Sequence, residues 1–141
     1  MKVGVVGSRE SNESQKQVLF ILLTKIISDV KDVKLVSGGC YKGADKWAEE
    51  FAAENLLEMK VHKPEKMNAF YFRQRNLAIT DDSDIVIATM PKNPDYRRFA
   101  GTEQTVRCAL YRKIPVILIH DDCEIRYYNS RNIEDAMRKH E

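Results

Sequence analysis

Short apolar runs alternate along this chain with longer stretches whose apolar residues recur every three or four positions. Lys2-Val3-Gly4-Val5-Val6 is a β-branched run ending in Gly7-Ser8-Arg9, which predicts a strand and then a glycine turn. Ser11-Asn12 offers a helix N-cap, and Ser14 with Gln17 fits a capping box. Leu19, Leu22, Leu23, Ile26, Ile27 and Val30 then mark one face of an amphipathic helix over 18–30. A second strand is expected at 34–37 and a second helix at 44–55, with Trp47, Ala48, Phe51 and Ala52 toward the core. A weaker strand at 58–62 is closed by Pro64, and 67–80 reads as helix. Residues 84–89 are apolar after Asp84, as suits a strand covered on both faces. The stretch 92–101, with Pro94, Arg97 and Arg98, reads as a loop, and Thr102 as the cap of a helix reaching Arg112. A fifth strand covers 114–119. Beyond His120 the pattern decays, leaving 132–139 as a last surface helix.

Five strands alternating with helices imply a mostly parallel five-stranded sheet covered on both faces, a three-layer α/β sandwich of Rossmann-like type. Ligands of such sheets sit outside the carboxyl ends of the strands, where the strand order reverses. Three loops fall at that edge: Gly7-Ser8-Arg9, the stretch from Gly38 to Asp45, and the segment ending in Gly101-Thr102. Their convergence is the main physical argument for a ligand site.

Composition narrows the class. A chain of 141 residues with 43% hydrophobic and 31% charged residues suits one soluble domain spanning 1–141. A formal net charge of +2 does not demand a polyanionic partner. No apolar run approaches a membrane span, and the first residues do not form a signal peptide. Cys40, Cys108 and Cys123 are odd in number and widely spaced, which fits reduced thiols and a cytoplasmic location.

The stretch Leu35-Val36-Ser37-Gly38-Gly39-Cys40-Tyr41-Lys42-Gly43-Ala44-Asp45 holds the richest candidate chemistry. Strand, glycine turn and helix start suit phosphate binding, because the first helical turn presents unpaired N–H groups and a positive dipole end. Ser37, Gly38, Gly39 and Gly43 would supply backbone donors, alongside Gly7 and Ser8. Arg9 would close the phosphate site or stand as a solvated turn residue. Asp45 would bind a ribose hydroxyl or stabilise its own helix start. Cys40, near a helix N-terminus, would need a base such as His62 to act as a nucleophile; a small loop residue is the plainer reading. His120-Asp121-Asp122-Cys123 has metal-ligand residue types, but neighbours in a row seldom converge on one ion, so no metal and no cofactor is expected. Tyr41, Phe70, Tyr71, Phe72 and Tyr96 include candidates for stacking on a base.

With these loops placed, the chain resembles the SLOG superfamily of Rossmann-like proteins, which includes the LOG phosphoribohydrolases, the DNA-processing protein A fold and stand-alone nucleotide-binding domains. The resemblance rests on four pieces: Gly7-Ser8-Arg9; Ser37-Gly38-Gly39 with Gly43-Ala44-Asp45; Phe72-Arg73-Gln74-Arg75-Asn76 leading to Ser83-Asp84-Ile85-Val86; and Gly101-Thr102 running to Ile114-Pro115-Val116. It implies a phosphate clamp at Arg75 and a sugar contact at Asn76, with Gly101 and Thr102 cradling phosphate. LOG enzymes resemble PGG-x-GT-x-x-E at the last piece, where the final glutamate is catalytic. Here that position is Thr105, and Arg97-Arg98-Phe99 replaces Pro-Gly-Gly. Sensing or sequestering a nucleotide-derived ligand is therefore expected ahead of turnover. The enzyme alternative is N-glycosidic cleavage of a nucleoside monophosphate, with Glu103 or Asp84 stabilising the oxocarbenium charge. A third reading is single-stranded DNA binding through the 72–76 segment with Lys63, Lys66, Arg73, Arg97, Arg98 and Arg107. The family also implies a homodimer, through the helix carrying Phe20 or the one carrying Tyr111.

Overall fold

A computed structural model of the chain describes residues 1–40, 42–92 and 96–139, with positions 96–100, 132–134, 136 and 139 described by their backbone alone. The elements run β1 (Lys2–Gly7), α1 (Glu13–Asp29), β2 (Lys34–Ser37), α2 (Ala44–Glu54), β3 (Glu58–Val61), α3 (Ala69–Asp81), β4 (Ile85–Met90), α4 (Tyr96–Tyr111), β5 (Val116–His120), β6 (Ile125–Tyr128) and α5 (Ser130–Lys139). The sheet order is β3-β2-β1-β4-β5-β6. The first five strands are parallel, and β6 pairs antiparallel with β5, Ile117 opposite Tyr127. The three-layer sandwich forms as expected, with one strand more than the five anticipated.

Alternation along the strands divides the core in two. Val3, Val5, Leu35, Ile85, Ile87 and Ile119 pack against Leu19, Leu23 and Ile26 of α1 and Phe51 of α2. Val6, Val36, Val86, Ala88 and Leu118 meet Ile79 of α3 with Val106 and Ala109 of α4 on the other face. β4 is buried along its whole length, and its sequence, apolar but for Thr89, suits a central parallel strand. Because the order reverses between β1 and β4, the loops leaving these two strands diverge to opposite faces and open a crevice at their carboxyl ends. No helix among the described residues is long and apolar enough to cross a membrane.

Three boundaries differ from the sequence pattern. α1 is capped by Asn12, within the Ser11-Asn12 pair that the sequence offers, but its capping box is Asn12 with Gln15 rather than Ser14 with Gln17: the Asn12 side chain accepts from the Gln15 amide at 2.9 Å, and the Gln15 side chain accepts from the Asn12 amide at 2.9 Å. Gln15 is chosen over Gln17 because it is buried, with its Nε2 donating to the Ile119 carbonyl at 3.0 Å. α4 begins at Tyr96, so Thr102 sits in its second turn rather than capping it. Residues 121–124 turn the chain back into β6, with Cys123 at φ +69°.

The two candidate caps make opposite demands on stability. Asn12→Ala should lower unfolding stability by about 1 kcal/mol, whereas Ser14→Ala should change it by only a few tenths. Chemical denaturation of both variants checks this; equal losses would contradict the assignment.

Candidate functional site

The β1 and β2 loops meet at the carboxyl edge of the sheet. Gly43, the N-cap of α2, lies at φ +74°, and a Cβ there would overlap the Ser8 carbonyl oxygen. Only glycine permits both the backbone conformation and this approach. Ser8 is itself buried: its amide donates to the Thr89 carbonyl at 3.3 Å and its hydroxyl accepts from the Glu10 amide at 3.0 Å. Gly7 is required by packing, since a side chain would collide with Thr89 and Ala44. Arg9 stands exposed on the same turn.

Gly43 brings no side chain to α2, so the first turn of that helix has no side-chain cap. α1 and α3, by contrast, are closed by Asn12 and Asn68. The start of α2, with Asp45 in its first turn, thus meets the β1 loop without a capping side chain.

Behind this opening lies a connected polar network. The Asp45 carboxylate accepts from the Cys40 amide at 3.0 Å, which folds the glycine loop onto the start of its own helix. Arg75 reaches from α3 to donate to the Gly38 carbonyl at 2.8 Å, and its Nε donates to the Asn76 side chain at 2.9 Å. A Cβ on Gly38 would stand 2.8 Å from the Arg75 Nη1 and 3.1 Å from the Asp45 carboxylate, so this glycine is the hinge on which both charges close. The Arg75 guanidinium also lies 5.8 Å from the centre of the Phe72 ring. Asn76, buried, extends the network to α4 by donating to the Gln104 side chain at 2.9 Å. Burial pushes the Asp45 carboxyl up to about 6, against the lowering effects of the Cys40 amide, the Arg75 charge and the Gly38 backbone.

Several expected roles are relocated. Asp45 holds its own loop rather than standing open to a ribose, and the Cys40 amide is engaged by it. The Gly39 amide donates to the Ser37 hydroxyl at 3.4 Å. Gly101, Thr102 and Glu103 lie within α4, past its first four residues, so their amides are not the free donors of a helix start. The Gly101 carbonyl accepts from the Thr105 hydroxyl at 3.0 Å, which leaves Thr105 buried and internally bonded. Glu103 pairs with Arg107 one turn on, at 2.6 Å. Asp84 lies at the opposite edge of the sheet, where it accepts from the Lys2 amide at 2.8 Å. His62 faces Asp82 at 3.0 Å and is not set beside Cys40 as its base. Asp121 and Asp122 accept from the Lys92 amide and ammonium in the β5–β6 turn, and the described residues hold no cluster of three metal-ligand side chains. Tyr41 and Pro94, and the side chains of Tyr96, Arg97 and Arg98, lie outside the described residues. Phe20 packs edge-on against Phe51 at 5.2 Å, while Tyr111 is 90% exposed.

Residues not singled out for the small-ligand site also line this edge. A cleft of about 410 Å³ opens between the β3–α3 connection and α3, lined by His62, Lys63, Pro64, Glu65, Phe70, Tyr71, Gln74, Arg75 and Ala78. A cleft of about 610 Å³ opens at the other end of the sheet, around 27–34 and 56–58, away from every loop described above. Gln104 carries no pattern of its own; only its position two residues past Thr102 places it near the network.

No family model and no curated protein sequence matches this chain. Solved structures that share its fold include two with described roles. One is a molybdenum cofactor binding protein from the phototrophic bacterium Rippkaea orientalis, 20% identical, with a TM-score of 0.62 over 99% of this chain and 85% of that one. The other is the molybdenum cofactor carrier protein MCP from Chlamydomonas reinhardtii, 22% identical, with a TM-score of 0.62 over 83% of this chain and 74% of that one. At these identities the likeness establishes the Rossmann-like architecture.

The Asp45 carboxyl gives the site a pH signature. Its folded value lies above its unfolded one, so it stabilises the fold while protonated, and that contribution is lost as pH rises from about 4 through about 6. Asp45→Asn keeps an acceptor for the Cys40 amide and removes the buried charge. It should raise stability at pH 7.5 by about 2 kcal/mol and change it little at pH 4. Urea denaturation at both pH values checks the sign; a variant weaker than the parent at pH 7.5 would mean that Arg75 outweighs burial.

Proposed function

We propose that this domain, as a SLOG-type protein, binds and thereby senses or sequesters a small organic phosphate of the nucleotide type. The observation that carries the reading is the uncapped amino end of α2, held open by Gly43 against the Ser8 backbone. Phosphate sits there in this reading, as anions do at helix starts. Arg75 fixes the far side of the glycine loop through the Gly38 carbonyl, and Asn76 braces Arg75 through its side-chain oxygen. The two similar solved structures are described as molybdenum cofactor binding and carrier proteins. Carriage of a small ligand by proteins of this fold supports ligand holding as the role. Pairing of Glu103 with Arg107, and of the Thr105 hydroxyl with Gly101, weighs against LOG-type hydrolysis. Pairing of two copies belongs to the same reading, with exposed Tyr111 on α4 as the open surface.

One-dimensional proton NMR with AMP, GMP, ADP-ribose and NAD tests it. The expected result is saturation transfer to at least one ligand without new peaks, with Arg75→Ala weakening that ligand about tenfold. Free base and ribose 5-phosphate appearing over hours would replace binding by N-glycosidic cleavage. Silence across the panel, with salt-sensitive retention of single-stranded DNA, would replace it by nucleic-acid binding.

A further inference from the structure

Apart from Arg75, the cleft beside α3 is built from residues that the phosphate site does not use. Its volume of about 410 Å³ falls within the range of small-molecule pockets. Its outer wall is Phe70, which is 62% exposed although it is a large apolar side chain at the start of a helix. The Phe70 ring stands edge-on to Tyr71 with centroids 5.2 Å apart, so the pair forms a rigid aromatic corner. Pro64 and Ala78 add apolar surface, while Glu65 and Gln74 place acceptors at the rim. The inner end is bounded by Lys63 and Arg75. A Cβ on Gly39 would stand 3.4 Å from the Lys63 side chain, and Arg75 bonds the Gly38 carbonyl. The cleft therefore abuts the shoulder of the glycine loop, with two cations between it and the phosphate end of the site.

We infer that this cleft is a ring-binding subsite, which takes the amino-substituted heteroaromatic ring of the ligand whose phosphate lies at α2. The ring stacks on Phe70, an exocyclic amino group donates to Glu65 or Gln74, and Lys63 and Arg75 face the anionic part of the same molecule. Stacking on an exposed aromatic tolerates any planar base, so the cleft supplies affinity before it supplies selectivity. This inference rests on the phosphate-binding reading above.

The test compares GMP with ribose 5-phosphate, which keeps the phosphate and sugar and lacks the ring. Isothermal titration with the parent protein, Phe70→Ala and Gln74→Trp separates the two ends of the site. Both positions are exposed helix surface, so neither change removes core packing. Phe70→Ala should weaken GMP about tenfold and leave ribose 5-phosphate unchanged. Gln74→Trp, which fills the cleft, should weaken GMP at least as much, again sparing ribose 5-phosphate. GMP binding that is unaltered by both variants would overturn the ring subsite and leave the phosphate site standing. Failure of the parent protein to bind either compound would overturn both.

Discussion

The geometry of the carboxyl edge depends on one backbone contact, that of Gly43 against the Ser8 carbonyl. It ties the turn after β1 to the start of α2, and it does so with no side chain between them. Any larger residue at position 43 would force the two loops apart and would need an essentially glycine-only backbone conformation, φ +74° and ψ −151°, that costs about 1–3 kcal/mol. The contact leaves the first turn of α2 without a side-chain cap while α1 and α3 carry theirs. In the proposed reading an anionic ligand completes a helix start that no N-cap side chain closes.

The charges behind this opening are arranged to hold the loop rather than to meet solvent. Asp45 and Arg75 close on Gly38 from two sides, one on the adjoining amide of Cys40 and one on the carbonyl of Gly38. Burial opposes the carboxylate more strongly than its partners favour it. The loop is thus held by a carboxyl group whose burial opposes its charge. Asn76 passes the same bracing to α4 through Gln104, so helices on one face of the sheet are coupled to a loop serving the other.

Much of the fold was legible because interior parallel strands are continuous apolar runs, as in 85–88 and 116–119. β6 was not, because its turn uses Cys123 at φ +69° where a glycine or asparagine would have signalled the reversal. The start of α4 was hidden for a related reason. Pro94 ahead of Tyr96-Arg97-Arg98 reads as a loop, and Gly101 in the interior lowers helix propensity, so Thr102 looked like the beginning. The glycine turns were legible as loops, but their bonding was not. Sequence shows that Asp45 stands at a helix start, and only packing shows that it turns back onto Cys40. Arg75 and Asn76 stood out by resemblance alone, and the structure supplies their reason, a bridge from α3 to the Gly38 carbonyl and to α4.

The division of labour at this edge follows from what each element can offer. In the proposed reading, backbone donors at the start of α2 would hold any small anion without distinguishing one from another. The Asp45 carboxylate already occupies the Cys40 amide, so the glycine loop adds shape more than further donors. Discrimination must then come from side chains around the opening, and the aromatic and cationic ones gather on the α3 side, where Phe70, Tyr71, Lys63 and Arg75 line one cleft. Arg75 belongs to both halves, bonded to the loop and lining the cleft. A ligand bridging the two would bury that guanidinium further and strengthen its hold on Gly38, since charge-assisted bonds gain as water leaves. Binding would then tighten the loop that shapes the phosphate site.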